Sequence, residues 1–152
     1  DIGVRKLTNL ITLDLCFNAS ITDKALSQLT NLTTLTLSST NNITDKSLSQ
    51  LTSLTTLILG DNYHITDKAL SLLTNLKILD LCNNSTITDE GLYLLTNLTS
   101  INLWCNKHIT DEGISLLTNL FYNTTDSWET YNTPIQYIDF IGSVENTYED
   151  YI

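Results

Sequence analysis

Residues 32–53 read LTTLTLSSTNNITDKSLSQLTS. Leu35 and Leu37 alternate with polar neighbours, the period of a half-buried strand. Leu32 completes the spacing L-x-x-L-x-L. After a polar turn come Thr44 and Asp45, residue types that cap helices. Leu48 and Leu51 follow, three apart and so on one helical face. A strand, a turn and a short helix fit within 22 residues.

The stretch recurs. Ile-Thr-Asp begins at Ile21, Ile43, Ile65, Ile87 and Ile109, and Leu-Thr-Asn-Leu, with Ser53 once in place of Asn, begins at Leu7, Leu29, Leu51, Leu73, Leu95 and Leu117. Every step is 22 residues, with nothing inserted or deleted. A fixed period of this size marks a stacked-repeat architecture. Burying each apolar side chain contributes roughly 1.5–3 kcal/mol, but a lone unit has nothing to bury its face against. Stacking supplies the partner, so stability is nearest-neighbour in kind. The strands should line up in parallel, about 4.8 Å apart. Asn18, Asn62, Asn84 and Asn106 share one place, with Thr40 as the exception. A buried asparagine there can donate to and accept from turning backbone.

The pattern L-x-x-L-x-L-x-x-N-x-x-I-T-D-x-x-L-x-x-L resembles the leucine-rich repeat. The period and the Leu-Thr-Asn-Leu phrase resemble bacterial internalins, and the Ile-Thr-Asp-Lys/Glu-Ala/Gly-Leu phrase resembles the cysteine-containing repeats of F-box proteins. Against internalins, isoleucine stands three residues after the asparagine rather than two, and no repeat holds proline, which favours a short helix on the convex side. Against the F-box type, the regular cysteine and the longer period are missing. The resemblance implies an α/β chain: a right-handed leucine-rich-repeat solenoid, its parallel sheet concave and its short helical turns convex.

Residues 1–120 form the repeats in this reading. Asp1 aligns with Asp23, so the chain opens in mid-repeat, which suggests further chain upstream or a neighbouring subunit at that end. Residues 121–152 hold five of seven Tyr, two of three Phe, Trp128, Pro134, six acids and no Lys or Arg. They read as an aromatic, acidic C-terminal cap or tail, with Ile138, Phe140 or Ile141 expected to cover the last repeat.

The formal charge is −10, from 17 acids and 7 bases. Nucleic-acid binding needs Lys and Arg against phosphate, and an anionic membrane surface needs the same. No apolar run reaches the roughly 18 residues of a membrane span. Cys16 and Cys82 lie three repeats apart, about 14 Å, beyond the roughly 7 Å that a disulfide allows. Cys105 faces differently from Cys82. Three cysteines without a pairing scheme fit a reducing, cytoplasmic compartment, with secretion or cell-surface display the alternative. His64 and His108 are two repeats apart, too far to share a metal ion. No nucleophile triad, phosphate-binding glycine loop, zinc-ligand spacing or cofactor motif emerges, so no enzyme, metal or cofactor is expected. Asp23, Asp45, Asp67, Asp89 and Asp111 should each cap their own helical turn. The next column, Lys24, Lys46, Lys68, Glu90 and Glu112, makes the C-terminal half acidic.

The outward positions of the strands are the informative surface. Asp14, Phe17, Ile58, Asp61, Ile78, Asp80, Asn102 and Trp104 are the candidate partner-binding residues there, because exposed aromatics beside polar groups anchor interfaces. The expectation is a non-catalytic scaffold whose concave face receives a protein partner, a basic one given the acids. A structural subunit in a larger assembly and the substrate-recognition arm of a ubiquitin ligase are the alternatives.

Overall fold

The computed structural model describes residues 1–40 and 42–125. A 3₁₀ turn over Val4–Lys6 comes first. Strand β1 (Thr12–Asp14), helix α1 (Asp23–Leu26), β2 (Thr34–Thr36), α2 (Asp45–Leu48), β3 (Thr56–Ile58), α3 (Asp67–Leu70), β4 (Ile78–Asp80), α4 (Asp89–Leu92), β5 (Ser100–Leu103), α5 (Asp111–Ser115) and β6 (Tyr122–Thr125) follow. The strands form one parallel sheet in the order β1 to β6. The register is the sequence period itself: Leu13 pairs with Leu35, Leu35 with Leu57, Leu57 with Leu79 and Leu79 with Ile101. This is the open solenoid that the resemblance to the leucine-rich repeat implies.

The core is a column of inward leucines and isoleucines. Leu35 and Leu57 from the strands and Leu37 and Leu59 just after them meet Leu26, Leu48, Leu70 and Leu92 from the helices, with Ile43, Ile65 and Ile87 at the turns, and all are buried. The convex elements are four- or five-residue α-helices.

Strand β6 extends the sheet beyond the last leucine motif. Its register places Asn123 opposite Ile101 and Thr125 opposite Leu103. Polar residues thus hold places that earlier strands give to leucine, which is why the leucine spacing does not reveal the strand. The cap expected at Ile138, Phe140 or Ile141 lies outside the described residues.

Three hydrogen-bond ladders run along the stack. The first is the asparagine column. The Asn62 amide donates to the Leu37 carbonyl (3.1 Å), the Thr40 carbonyl (3.3 Å) and the Thr40 hydroxyl (3.1 Å), and its oxygen accepts from the His64 and Ile65 N–H groups. Asn84 repeats this one unit on, donating to the Leu59 and Asn62 carbonyls. Asn62 and Asn84 are buried. Asn18 and Asn106, at the two ends of the column, are half-buried. Among the described residues no buried side-chain nitrogen or oxygen lacks a partner.

The second ladder corrects the reading of the aspartates. The N-cap of each helix is the threonine, and its hydroxyl accepts the Lys46, Lys68, Glu90 and Glu112 N–H groups in α2 to α5. The aspartate is the first helical residue, and its carboxylate reaches along the stack to the threonine of the next unit. Asp23 accepts from the Thr44 N–H (2.9 Å) and hydroxyl (2.7 Å). Asp45 does the same for Thr66, Asp67 for Thr88 and Asp89 for Thr110. Asp1 does so for Thr22, so it is a working rung. The residue beneath the carboxylate must be small: Ser47 donates to Asp23, and a Cβ at Gly91 would stand 2.5 Å from an Asp67 oxygen.

The third ladder joins residues of the repeated Leu-Thr-Asn-Leu phrase, a pairing that the phrase itself does not announce. Asn31, Asn75, Asn97 and Asn119 donate to the carbonyls of Thr8, Thr52, Thr74 and Thr96, each in the preceding unit.

Burial alone would raise the Asp23 carboxyl, but hydrogen bonds from Ser47 and Thr44 and the charge of Lys46 outweigh it and hold it below the usual range. A depressed folded-state pKa gives stability that is present above the unfolded value, near 4, and is lost as pH falls through the folded one. Asp23→Asn should therefore melt below wild type at pH 7, with the gap closing as pH falls below about 4, the unfolded value. A gap independent of pH in thermal melts would refute the carboxylate's role.

Candidate functional site

The concave face is built by the outward residues of each strand and by the turn that follows. That turn has one geometry five times over. Phe17, Ser39, Asp61, Asn83 and Cys105 all adopt positive φ, between 50° and 56°. The first four each extend the sheet by donating an N–H to the next unit: Phe17 to Ser38, Ser39 to Gly60, Asp61 to Cys82 and Asn83 to Trp104. The left-handed conformation suits Asp and Asn and is an outlier for a bulky residue.

Several candidates have local partners. Asp14 accepts the Cys16 N–H at 2.8 Å, and Asp80 accepts the Cys82 N–H at 2.8 Å. Asn102 accepts the Trp104 N–H and donates to the second Asp80 oxygen at 2.9 Å. These three side chains shape the turn out of the strand. Asp61 accepts from the Asn83 amide (2.5 Å) and the Tyr63 hydroxyl (3.4 Å), in a polar cluster at the strand ends. Tyr63 is 49% exposed and is not among the candidates; it follows the left-handed turn at Asp61 and so falls outside the strand pattern that selects them. Ile58 and Ile78 are half-buried on the sheet.

Phe17 and Trp104 stand apart. Phe17 is 79% exposed and Trp104 57% exposed. Phe17 has neither burial nor backbone preference to account for it. The two lie on the first and fifth strand-turn units, about 19 Å apart, with the Asp61 and Asp80 clusters between them. Burial, then the nearby Asp14 charge, pushes the Cys16 thiol up, so it stays protonated at neutral pH. Among the described residues no group of His, Cys, Asp and Glu is placed to hold a metal ion. No helix there is long and apolar enough to cross a membrane.

No curated protein matches the chain. Among solved structures it is similar to internalin C2 from Listeria monocytogenes, with 30% identity, a TM-score of 0.60, and coverage of 80% of this chain and 54% of that one. It thus spans about half of that internalin. The Rad7 and Elc1 complex from yeast matches at 23% identity and a TM-score of 0.55, over 70% of this chain and 34% of the other, a likeness of fold alone. A structure of TLR13 with ssRNA13 matches at 25% identity and a TM-score of 0.56, over 79% and 19%. The leucine-rich-repeat family model matches at residues 28–51, 50–73, 72–95 and 94–117, and the chain belongs to the leucine-rich-repeat family.

Proposed function

We propose that the chain is a non-catalytic protein-binding module whose concave face receives a protein partner. Leucine-rich repeats generally mediate protein–protein interaction, and Phe17 is the observation that supports this face. A phenylalanine held at positive φ and 79% exposed opposes both backbone preference and the hydrophobic effect, so a contact made on binding is the use left for it. Trp104 supplies a second aromatic anchor. Asp61 and Asp80 add negative charge between the two and Asp14 adds it in the unit of Phe17, which favours a partner presenting Lys or Arg.

The repeats themselves supply clean variants. Ser39 occupies the place of Phe17, and Ser38 that of Trp104, so Phe17→Ser and Trp104→Ser fit the backbone. Peptides selected from a displayed random library against the full chain provide the probe. Both variants should melt like wild type and bind the selected peptides at least about ten-fold more weakly. Unchanged affinity for both would show that partners bind elsewhere.

Packing into a larger assembly is a second reading. Ile2, Leu7 and Ile11 at the N-terminal end of the stack are 70%, 52% and 54% exposed, an apolar end that another unit could cover.

A further inference from the structure

On the convex side of each unit the residue after the aspartate lies in the helix, and the residue four further on lies just past the helix end. Along the stack these pairs read Lys24 with Gln28, Lys46 with Gln50, Lys68 with Leu72, Glu90 with Leu94 and Glu112 with Leu116. All ten are exposed. Leu72, Leu94 and Leu116 are 51%, 58% and 47% exposed and lie outside the core. Packing does not require leucine there, since Gln28 and Gln50 hold the same place. The charge thus changes sign between the third and fourth helices, where the apolar column also lies.

Such a surface is complementary to its own reverse. Consider a two-fold axis in the contact plane, perpendicular to the stack, passing between α3 and α4. It sets a second copy antiparallel, each column facing itself inverted. Lys46 then meets Glu112 of the second copy, Lys68 meets its Glu90, and Leu72 meets its Leu94. Lys46, Lys68, Glu90 and Glu112 each gain an opposite partner, and Leu72 and Leu94 sit at the centre.

We propose that the chain pairs with a second copy of itself through this convex face, as an isologous antiparallel dimer. A foreign basic helix would use Glu90, Glu112 and Leu94 but leave Lys46 and Lys68 without a role. Charge complementarity therefore favours the second copy. Opposing it are the net charge of −10 and the neighbouring column of Asp45, Asp67, Asp89 and Asp111, which faces its own inverse with like sign. Asp45, Asp67 and Asp89 are half-buried and engaged by Thr66, Thr88 and Thr110, while Asp111 is exposed. The four units span only about 14 Å, so the contact is small and the dimer weak.

Sedimentation equilibrium on the full chain tests this. Wild type should show a concentration-dependent monomer–dimer equilibrium. Lys46→Glu sets like charges together twice per dimer and should weaken association about ten-fold. Lys46→Glu with Glu112→Lys restores both pairs and should recover it. Leu94→Gln, a residue the same column already carries at Gln50, should weaken it without loss of folding by circular dichroism. A chain that stays monomeric to about millimolar concentration overturns the proposal. So does a dimer indifferent to Lys46→Glu and Leu94→Gln, or a double variant no better than the single. Phe17→Ser should leave the dimer intact, which keeps this test separate from that of the concave face.

Discussion

Replacing Leu57 by Ala is expected to lower the unfolding free energy by about 2–5 kcal/mol, the range for truncating a core leucine. Leu57 is fully buried in β3 and stacked between Leu35 and Leu79 of the adjoining strands. Its neighbours are themselves pinned by the 22-residue register, so the cavity has little freedom to collapse. Thr56, one residue earlier, is half-buried on the outer face, and Thr56→Ala should cost under about 1 kcal/mol. Urea melts of the two variants decide the matter through their midpoints, provided the slopes stay equal. Comparable losses would mean that the strand faces the other way.

Asn62→Ala should cost about 1–3 kcal/mol, because it leaves buried backbone groups without partners. The loss falls on both sides of the unit. The Leu37 and Thr40 carbonyls lose a donor in the preceding turn, and the His64 and Ile65 N–H groups lose their acceptor in the same turn. Thr40→Asn is the counterpart. Thr40 is buried and returns its hydroxyl to the Leu37 carbonyl at 2.9 Å, so an asparagine that rejoins the column should be neutral or stabilising. An Asn62→Ala variant that melts like wild type would show that the ladder contributes nothing.

The inward leucines and the asparagine column were legible because each combines a fixed period with a residue type that has one sensible place. The aspartates were half legible. Their type suits a helix start, but no property of a single unit shows that the carboxylate points along the stack to the next threonine. The rung from Asn31 to Thr8 was half legible in the same way: both residues belong to the repeated Leu-Thr-Asn-Leu phrase, but nothing in one unit shows that the amide reaches back to the threonine carbonyl of the unit before. Strand β6 was hidden because Asn123 and Thr125 replace leucine. On the concave face, Asp14, Asp80 and Asn102 were picked out as outward and polar, yet each accepts an N–H two residues on. Phe17 and Trp104 were legible because a large apolar side chain just past a strand end, outside the leucine pattern, has no place in the core.

The ladders also constrain how such a chain can change length. Within each ladder the step is constant: 21 residues from Asp23 to Thr44 and from Asp45 to Thr66, 22 from Asn62 to Thr40, and 23 from Asn75 to Thr52. One residue inserted within a unit shifts every later partner of that unit out of reach. A whole unit copied or excised between equivalent points leaves each remaining rung with a partner of the same kind. Growth by tandem duplication is then nearly neutral for the fold, while point insertions are strongly selected against, and each new copy arrives with its own outward column open to divergence.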